Sequence, residues 1–252
     1  MTFELGLGLL SIGRTWGIHN KPPPSEEQAL NVIKTAYEKG IRFFDTAPAY
    51  GTSEARLGRA FQKNYLQRQD TLCATKMGEY WDFEKDTSYV SHTYDDLIRG
   101  LENSLKLLGA INVLQLHKAT PDNIDIPDVM RAFDHAEKCG ITSFGASVSD
   151  IETARRACLT GRYTYLQFPY NRDNTKLDEI FTLLQQNSMK AIINRPFAMG
   201  ALAFSKNQPM DNSESFQFIL AKKASGVILT GTSSSEHLVE NITDFQKATS
   251  KV

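Results

Sequence analysis

A chain of 252 residues, 41% hydrophobic and 23% charged, is long enough for one large domain and has the balance of an ordinary soluble globule. Its net charge of -1 gives no push toward nucleic acid or an anionic membrane, and no apolar run approaches the ~20 residues that span a bilayer. Three scattered cysteines, Cys73, Cys139 and Cys158, make neither a disulfide framework nor a zinc motif, and the first residues lack a basic segment followed by an apolar one, so a cytoplasmic protein is expected.

In chain order, the small and apolar residues at 4–13 read as a first strand, weakened by glycine. A loop rich in Gly and Pro follows, and Ser25-Glu-Glu-Gln then opens a helix whose Ala29, Val32, Ile33, Ala36 and Tyr37 share one face. The unit of apolar strand, loop and amphipathic helix recurs. Strands at 41–44, 71–75, 112–116 and 142–146 precede helices at 53–62, 94–108, 126–138 and 151–159. Strands at 165–169, 190–194 and 227–230 precede helices at 176–187, 213–224 and 235–249. Such alternation implies parallel strands joined by crossover helices. About eight units in about 250 residues is the size of an α/β (β/α)₈ TIM barrel, expected here as a single domain over 1–252. An open doubly wound sheet fits less well, because no Gly-x-Gly-x-x-Gly links a strand to a helix.

Strand C-termini form the functional face of such a barrel. Asp45, Lys76 and His117 each stand at a predicted strand end, and Tyr50 stands in the loop after Asp45. Alone, each has a plainer role: a turn cap, a solvated charge, a loop residue, a packing aromatic. Placed on successive strands, they converge. A free phenol titrates near ~10, and an ammonium beside it favours the phenolate. A carboxylate is what a buried ammonium needs to stay charged. The set therefore reads as a proton-transfer site. Tyr50 is the general acid or base, Lys76 lowers its pKa, Asp45 holds Lys76, and His117 orients a carbonyl oxygen.

At these residues the chain resembles the aldo-keto reductases. The carrying motifs are Gly40-Ile-Arg-Phe-Phe-Asp-Thr-Ala-Pro-Ala-Tyr-Gly-Thr-Ser-Glu-Ala-Arg-Leu-Gly58, Ala74-Thr-Lys76, Leu114-Gln-Leu-His117, Phe144-Gly-Ala-Ser147 and Gly231-Thr-Ser-Ser-Ser-Glu-His-Leu-Val-Glu-Asn241. The wording after Tyr50 looks like the branch with aldose and galactose dehydrogenases. The resemblance implies a catalytic tetrad of Asp45, Tyr50, Lys76 and His117 acting on a small carbonyl or alcohol, with NADP, or NAD as the alternative, across the barrel mouth. It implies cofactor contacts at Gly13, Arg14, Ser147, Gln167, Arg195, Phe197, Gly231, Thr232, Ser233, His237 and Asn241. A helix N-terminus after Gly231 suits an anion on physical grounds as well.

The sequence departs from the family where NADP-selective members place Lys and Arg, for Gly231 and His237 stand there. Val148 replaces an asparagine, and Asn194 replaces an aromatic, whose place Phe197 can take. The chain stops soon after the last predicted helix, so an open substrate site bordered by Trp16 and Trp81 is expected. No acidic or histidine cluster has metal-ligand spacing. Two alternatives stay open: a Schiff-base aldolase using Lys76, and a non-catalytic cofactor-sensing partner subunit.

Overall fold

The computed structural model describes residues 2–17, 20–198, 204–205, 208–209 and 212–251. Eight parallel strands close into a barrel: β1 (Phe3–Gly8), β2 (Phe43–Asp45), β3 (Leu72–Met77), β6 (Val113–Leu116), β7 (Ser143–Ser147), β8 (Tyr165–Pro169), β9 (Lys190–Asn194) and β12 (Gly226–Thr230). Each pairs with its neighbours in chain order, and β12 closes on β1 through Phe3↔Gly226 to Leu7↔Thr230. Helices α2 (Glu26–Glu38), α3 (Ser53–Gln62), α4 (Tyr94–Leu108), α5 (Pro127–Lys138), α6 (Ile151–Thr160), α7 (Glu179–Gln186), α8 (Ser213–Leu220) and α9 (Ser235–Thr249) join the strands. The expected barrel is therefore the observed one.

Local chemistry sets the helix ends. Ser25 and Gln28 form a reciprocal capping box at α2, with Glu26 and Glu27 favourably placed at the positive end of the helix dipole. Asp150 caps α6 by accepting from Thr153 N at 2.7 Å. The apolar stripes of the helices pack on the outside of the sheet in one continuous core.

A second cluster fills the barrel floor: Phe43, Ala74, Val113, Tyr165, Ile192, Val227 and Leu229. Side chains alternate faces along a strand, so two residues further on, each strand turns inward again one layer higher. Above Phe43, Ala74, Val113 and Tyr165 come Asp45, Lys76, Gln115 and Gln167, all buried. A polar layer thus rests on an apolar plug, at the strand ends.

Three regions add elements to the sequence reading. The strand expected at 4–13 ends at Gly8, and Leu10–Gly13 form a single helical turn, α1, which buries Ile12. The loop after Lys76 contains an antiparallel hairpin, β4 (Glu79–Asp82) with β5 (Thr87–Val90), whose turn is held by Asp82 Oδ1 accepting from Glu84 N and Lys85 N at 3.0 and 3.1 Å. Another short hairpin, β10 (Phe204–Ser205) with β11 (Gln208–Pro209), lies in the loop before α8; the rest of 199–211 lies outside the described residues. Among the described residues no helix is long and apolar enough to cross a membrane.

Candidate active site

The polar layer is organised by Asp45. Lys76 Nζ donates to both its carboxylate oxygens, at 2.8 and 2.7 Å, and to Thr46 O at 2.9 Å. Gln115 Nε2 donates to Oδ1 at 2.9 Å and Gln167 Nε2 to Oδ2 at 3.3 Å. Lys76 and Asp45 are each 1% exposed, so the charges depend on one another rather than on water. Burial acts to lower the Lys76 pKa, but Asp45 and Tyr50 outweigh it, and the net direction is up.

Tyr50 hangs over this pair. The Lys76 ammonium lies 4.8 Å from its ring centroid, and the His117 ring meets it edge-on at 5.9 Å. Gly13 makes this placement feasible: a Cβ there would lie 1.9 Å from Tyr50 O. Gly13 O also accepts from Thr52 N and Thr52 Oγ1, at 3.0 and 3.1 Å. Gly13, expected against a cofactor, is thus the backbone seat of the Tyr50 loop. The expected fall in the Tyr50 pKa is not the net outcome. Burial raises it most, Lys76 opposes, and the phenol ends above its ordinary value.

His117 follows β6 and is 8% exposed. Its Nδ1 lies 3.1 Å from Glu79 Oε2, close enough to bond but out of line by strict geometry. Burial first, then Lys76, Lys118, Arg14 and His92, hold its pKa well below the usual histidine range. The imidazole is neutral at neutral pH.

Asp45, Tyr50 and His117 border a cavity of about 1290 Å³ that runs from the barrel mouth to α9. Ser147, Gln167, Arg195, Phe197, Gly231, Thr232, Ser233, His237 and Asn241 line it, as does Arg14. Gln167 Oε1 and Asn194 Oδ1 are buried without a donor. An incoming amide N–H would satisfy such an acceptor, which suits the carboxamide of a nicotinamide. At the far end, Ser234 caps α9 by accepting from His237 N at 3.2 Å, while its hydroxyl donates to Glu236 Oε2 at 2.6 Å. No Lys or Arg stands between Gly231 and His237. Asn241 is committed internally: it donates to Thr230 Oγ1 at 2.8 Å and accepts from Asn212 Nδ2 at 3.1 Å. Phe197 rests edge-on against Phe216 at 5.1 Å.

Trp16 borders the cavity, but Trp81 is not in its wall. Trp81 belongs to the hairpin after Lys76 and lies under the Arg14 guanidinium, 4.6 Å from Cζ to ring centroid. Sequence reasoning missed two residues. Gln115 was marked by its position two before His117 on a strand, hence on the same face. Glu79 carried no signal, because the hairpin that aims it at His117 was read as loop.

The chain and its barrel are similar to those of known proteins. Relatives include an uncharacterized oxidoreductase, YqkF, of Bacillus subtilis, 25% identical over 95% of this chain and 86% of that protein. L-galactose dehydrogenase of Arabidopsis thaliana is 25% identical over 94% of this chain and 82% of its own. The holo structure of aldo-keto reductase AKR11C1 from Bacillus halodurans superposes with a TM-score of 0.82 at 22% identity, over 96% of this chain and 86% of that one. The profile of the Aldo/keto reductase family matches residues 4–216, and the chain belongs to that family.

Proposed function

We propose that the protein is a nicotinamide-dependent oxidoreductase that interconverts a small carbonyl compound and its alcohol, with Tyr50 as the general acid or base. The observation that carries the reading is the Asp45–Lys76–Tyr50 stack beside His117, at one wall of a cavity with an unpaired amide acceptor on Gln167. Ser147, Gln167 and the Gly231–Ser233 segment would hold a nicotinamide, which would supply or accept the hydride. The chain's own residues handle the proton.

In reduction, the Tyr50 hydroxyl donates to the carbonyl oxygen as that oxygen gains negative charge. The phenolate left behind is stabilised by Lys76, which Asp45 keeps charged and in place. A Tyr50 pKa raised by burial keeps the phenol protonated at neutral pH, the form a general acid needs. His117 borders the reacting oxygen and orients it. In oxidation the same groups run in reverse. NADP is the cofactor first expected, and the cation-free segment at Gly231 makes NAD the alternative. The Asp45 grip that keeps Lys76 an ammonium argues against a Schiff-base role, which needs a free amine.

The test is absorbance of the reduced nicotinamide, with NADH and NADPH, against aldehydes, ketones and aldoses. Turnover that disappears in Tyr50→Phe supports the reading. Turnover within a few-fold of wild type in that variant removes Tyr50 from the role.

A further inference from the structure

Arg14 is a cation in the catalytic cavity with no ion pair among the described residues. Its guanidinium lies 4.6 Å from the Trp81 ring centroid and 5.7 Å from that of Trp16. Its Nε is buried and without a hydrogen-bond partner. Arg195 approaches the same Trp16 ring, again at 5.7 Å. Two guanidiniums therefore converge on one indole, neither in an ion pair with any carboxylate among the described residues, and Lys21 and Lys118 line the same cavity.

The nearby acids are already engaged. Glu79 accepts from Ser88 Oγ at 2.8 Å, lies 3.1 Å from His117 Nδ1 and lies 3.7 Å from Lys118 Nζ. Asp45 is taken by Lys76, Gln115 and Gln167. A guanidinium flanked by two aromatic rings is held in place by them, and its planar fork matches an oxyanion. A buried donor left unpaired is costly until an acceptor arrives.

We propose that Arg14 is a specificity-determining residue that binds a carboxylate carried by the substrate, so that the preferred substrates are anionic carbonyl compounds and the corresponding hydroxy acids. This deepens the carbonyl–alcohol reading and rests on it. Arg14, which the resemblance assigns to the cofactor, lines the cavity together with Tyr50 and His117, and its charge is felt at His117. Arg195 follows β9 and also lies 5.7 Å from the Trp16 centroid, so a phosphate of the dinucleotide is the competing oxyanion. The shared chemistry is oxyanion recognition, and its two sources separate by experiment.

Two matched pairs test it: 4-oxobutanoate against butanal, and glucuronate against glucose. In each pair the anionic member is expected to have a kcat/KM about tenfold or more above its neutral partner, the worth of one charge-assisted hydrogen bond. In Arg14→Gln that ratio falls to about one, and in Arg14→Lys, which keeps the charge but loses the fork, it falls part way. The chain has only two tryptophans, Trp16 and Trp81, and both flank Arg14, so intrinsic fluorescence reports on this site without turnover. Glucuronate, and not glucose, is expected to change the emission of the cofactor-free protein, and Arg14→Gln abolishes the change. Arg14→Lys carries the same fluorescence comparison if the Gln variant does not fold.

Equal ratios for both pairs in wild type overturn the proposal. So does a fluorescence response that survives in both variants. A loss of NADPH or NADH binding in Arg14→Gln with the anionic preference intact assigns Arg14 to cofactor phosphate and overturns it too. If no carbonyl compound turns over at all, the oxidoreductase reading fails by itself, and the fluorescence titration still decides whether Arg14 binds a carboxylate.

Discussion

His117 Nδ1 lies 3.1 Å from Glu79 Oε2, and Ser88 Oγ holds the other oxygen of that carboxylate at 2.8 Å. Glu79 is 5% exposed and reaches the site from a hairpin outside the barrel. Among the described residues that carboxylate is the charge nearest Nδ1, and although the contact is out of line for a full hydrogen bond, it pulls on the ring that faces the cavity. Glu79→Ala is expected to lower kcat/KM for the carbonyl substrate by about threefold, less than a full hydrogen bond to a charged group is worth. Cofactor affinity, measured by direct titration, should stay within about twofold, because general loosening of the barrel would change both.

Tyr50→Phe keeps the ring on Lys76 and removes the proton. Loss of a positioned general acid costs about 10²–10⁴ in rate, and kcat should fall by that range with cofactor binding retained. The pH dependence has a definite sign. Burial holds the phenol above its ordinary value against the pull of Lys76, so Tyr50 remains protonated through neutral pH. Reduction should show no loss from this group until above pH ~10. Lys76→Met removes the opposing charge and moves the phenol further up. Oxidation, which needs the phenolate, should then lose more rate than reduction when both directions are followed across pH.

The barrel itself was legible in the sequence because its signals are local and repeated. The helix expected at 94–108, which Gly109 closes, and the strand expected at 165–169 both match the structure residue for residue. The convergence of Asp45, Lys76 and His117 followed from their strand ends. What was not legible depends on contacts between distant segments. Glu79 reaches His117 through a hairpin whose first strand, Glu-Tyr-Trp-Asp, is short and does not alternate. The direction of the Tyr50 pKa depends on burial, which no spacing reveals. Trp81 was expected at the cavity and instead lies beneath Arg14, a placement set by the same hairpin.

At Gly231, a Cβ would meet only Gly8 O, at 3.5 Å, so a side chain can start there without displacing backbone. Gly231→Lys brings an ammonium to a segment that has no Lys or Arg through His237. It should lower the dissociation constant for NADPH by about tenfold through one charge-assisted contact to phosphate, and leave that for NADH within about threefold. Fluorescence or calorimetric titration with both cofactors checks it. An equal gain for both would place the new charge on the pyrophosphate they share.

Glu54 is 2% exposed on α3 and accepts from Thr75 Oγ1 at 2.6 Å. Burial pushes its carboxyl up to about 7, against the pull of Thr75, Ser104 and Lys76. A carboxyl whose folded pKa lies above its unfolded value binds its proton more tightly when folded. It therefore contributes stability below about pH 4.5, and that contribution is lost as pH rises toward 7. The loss amounts to about 3 kcal/mol at most. Thermal melts of wild type and Glu54→Gln at pH 5 and pH 8 should diverge, with wild type losing more of its stability at the higher pH. Parallel curves would place the Glu54 titration outside this range.

Asp45 accepts from Lys76, Gln115 and Gln167, which come from three other staves of the barrel, so a single carboxylate laces half its circumference together. Mutational drift away from chemistry is thereby constrained. A descendant of this chain that abandoned turnover could discard the Tyr50 hydroxyl cheaply, since that group sits at the edge of the network. Discarding Asp45 would strand an ammonium and two amides in the dark of the barrel. Degenerate copies of this protein should accordingly retain the acid long after the phenol is gone.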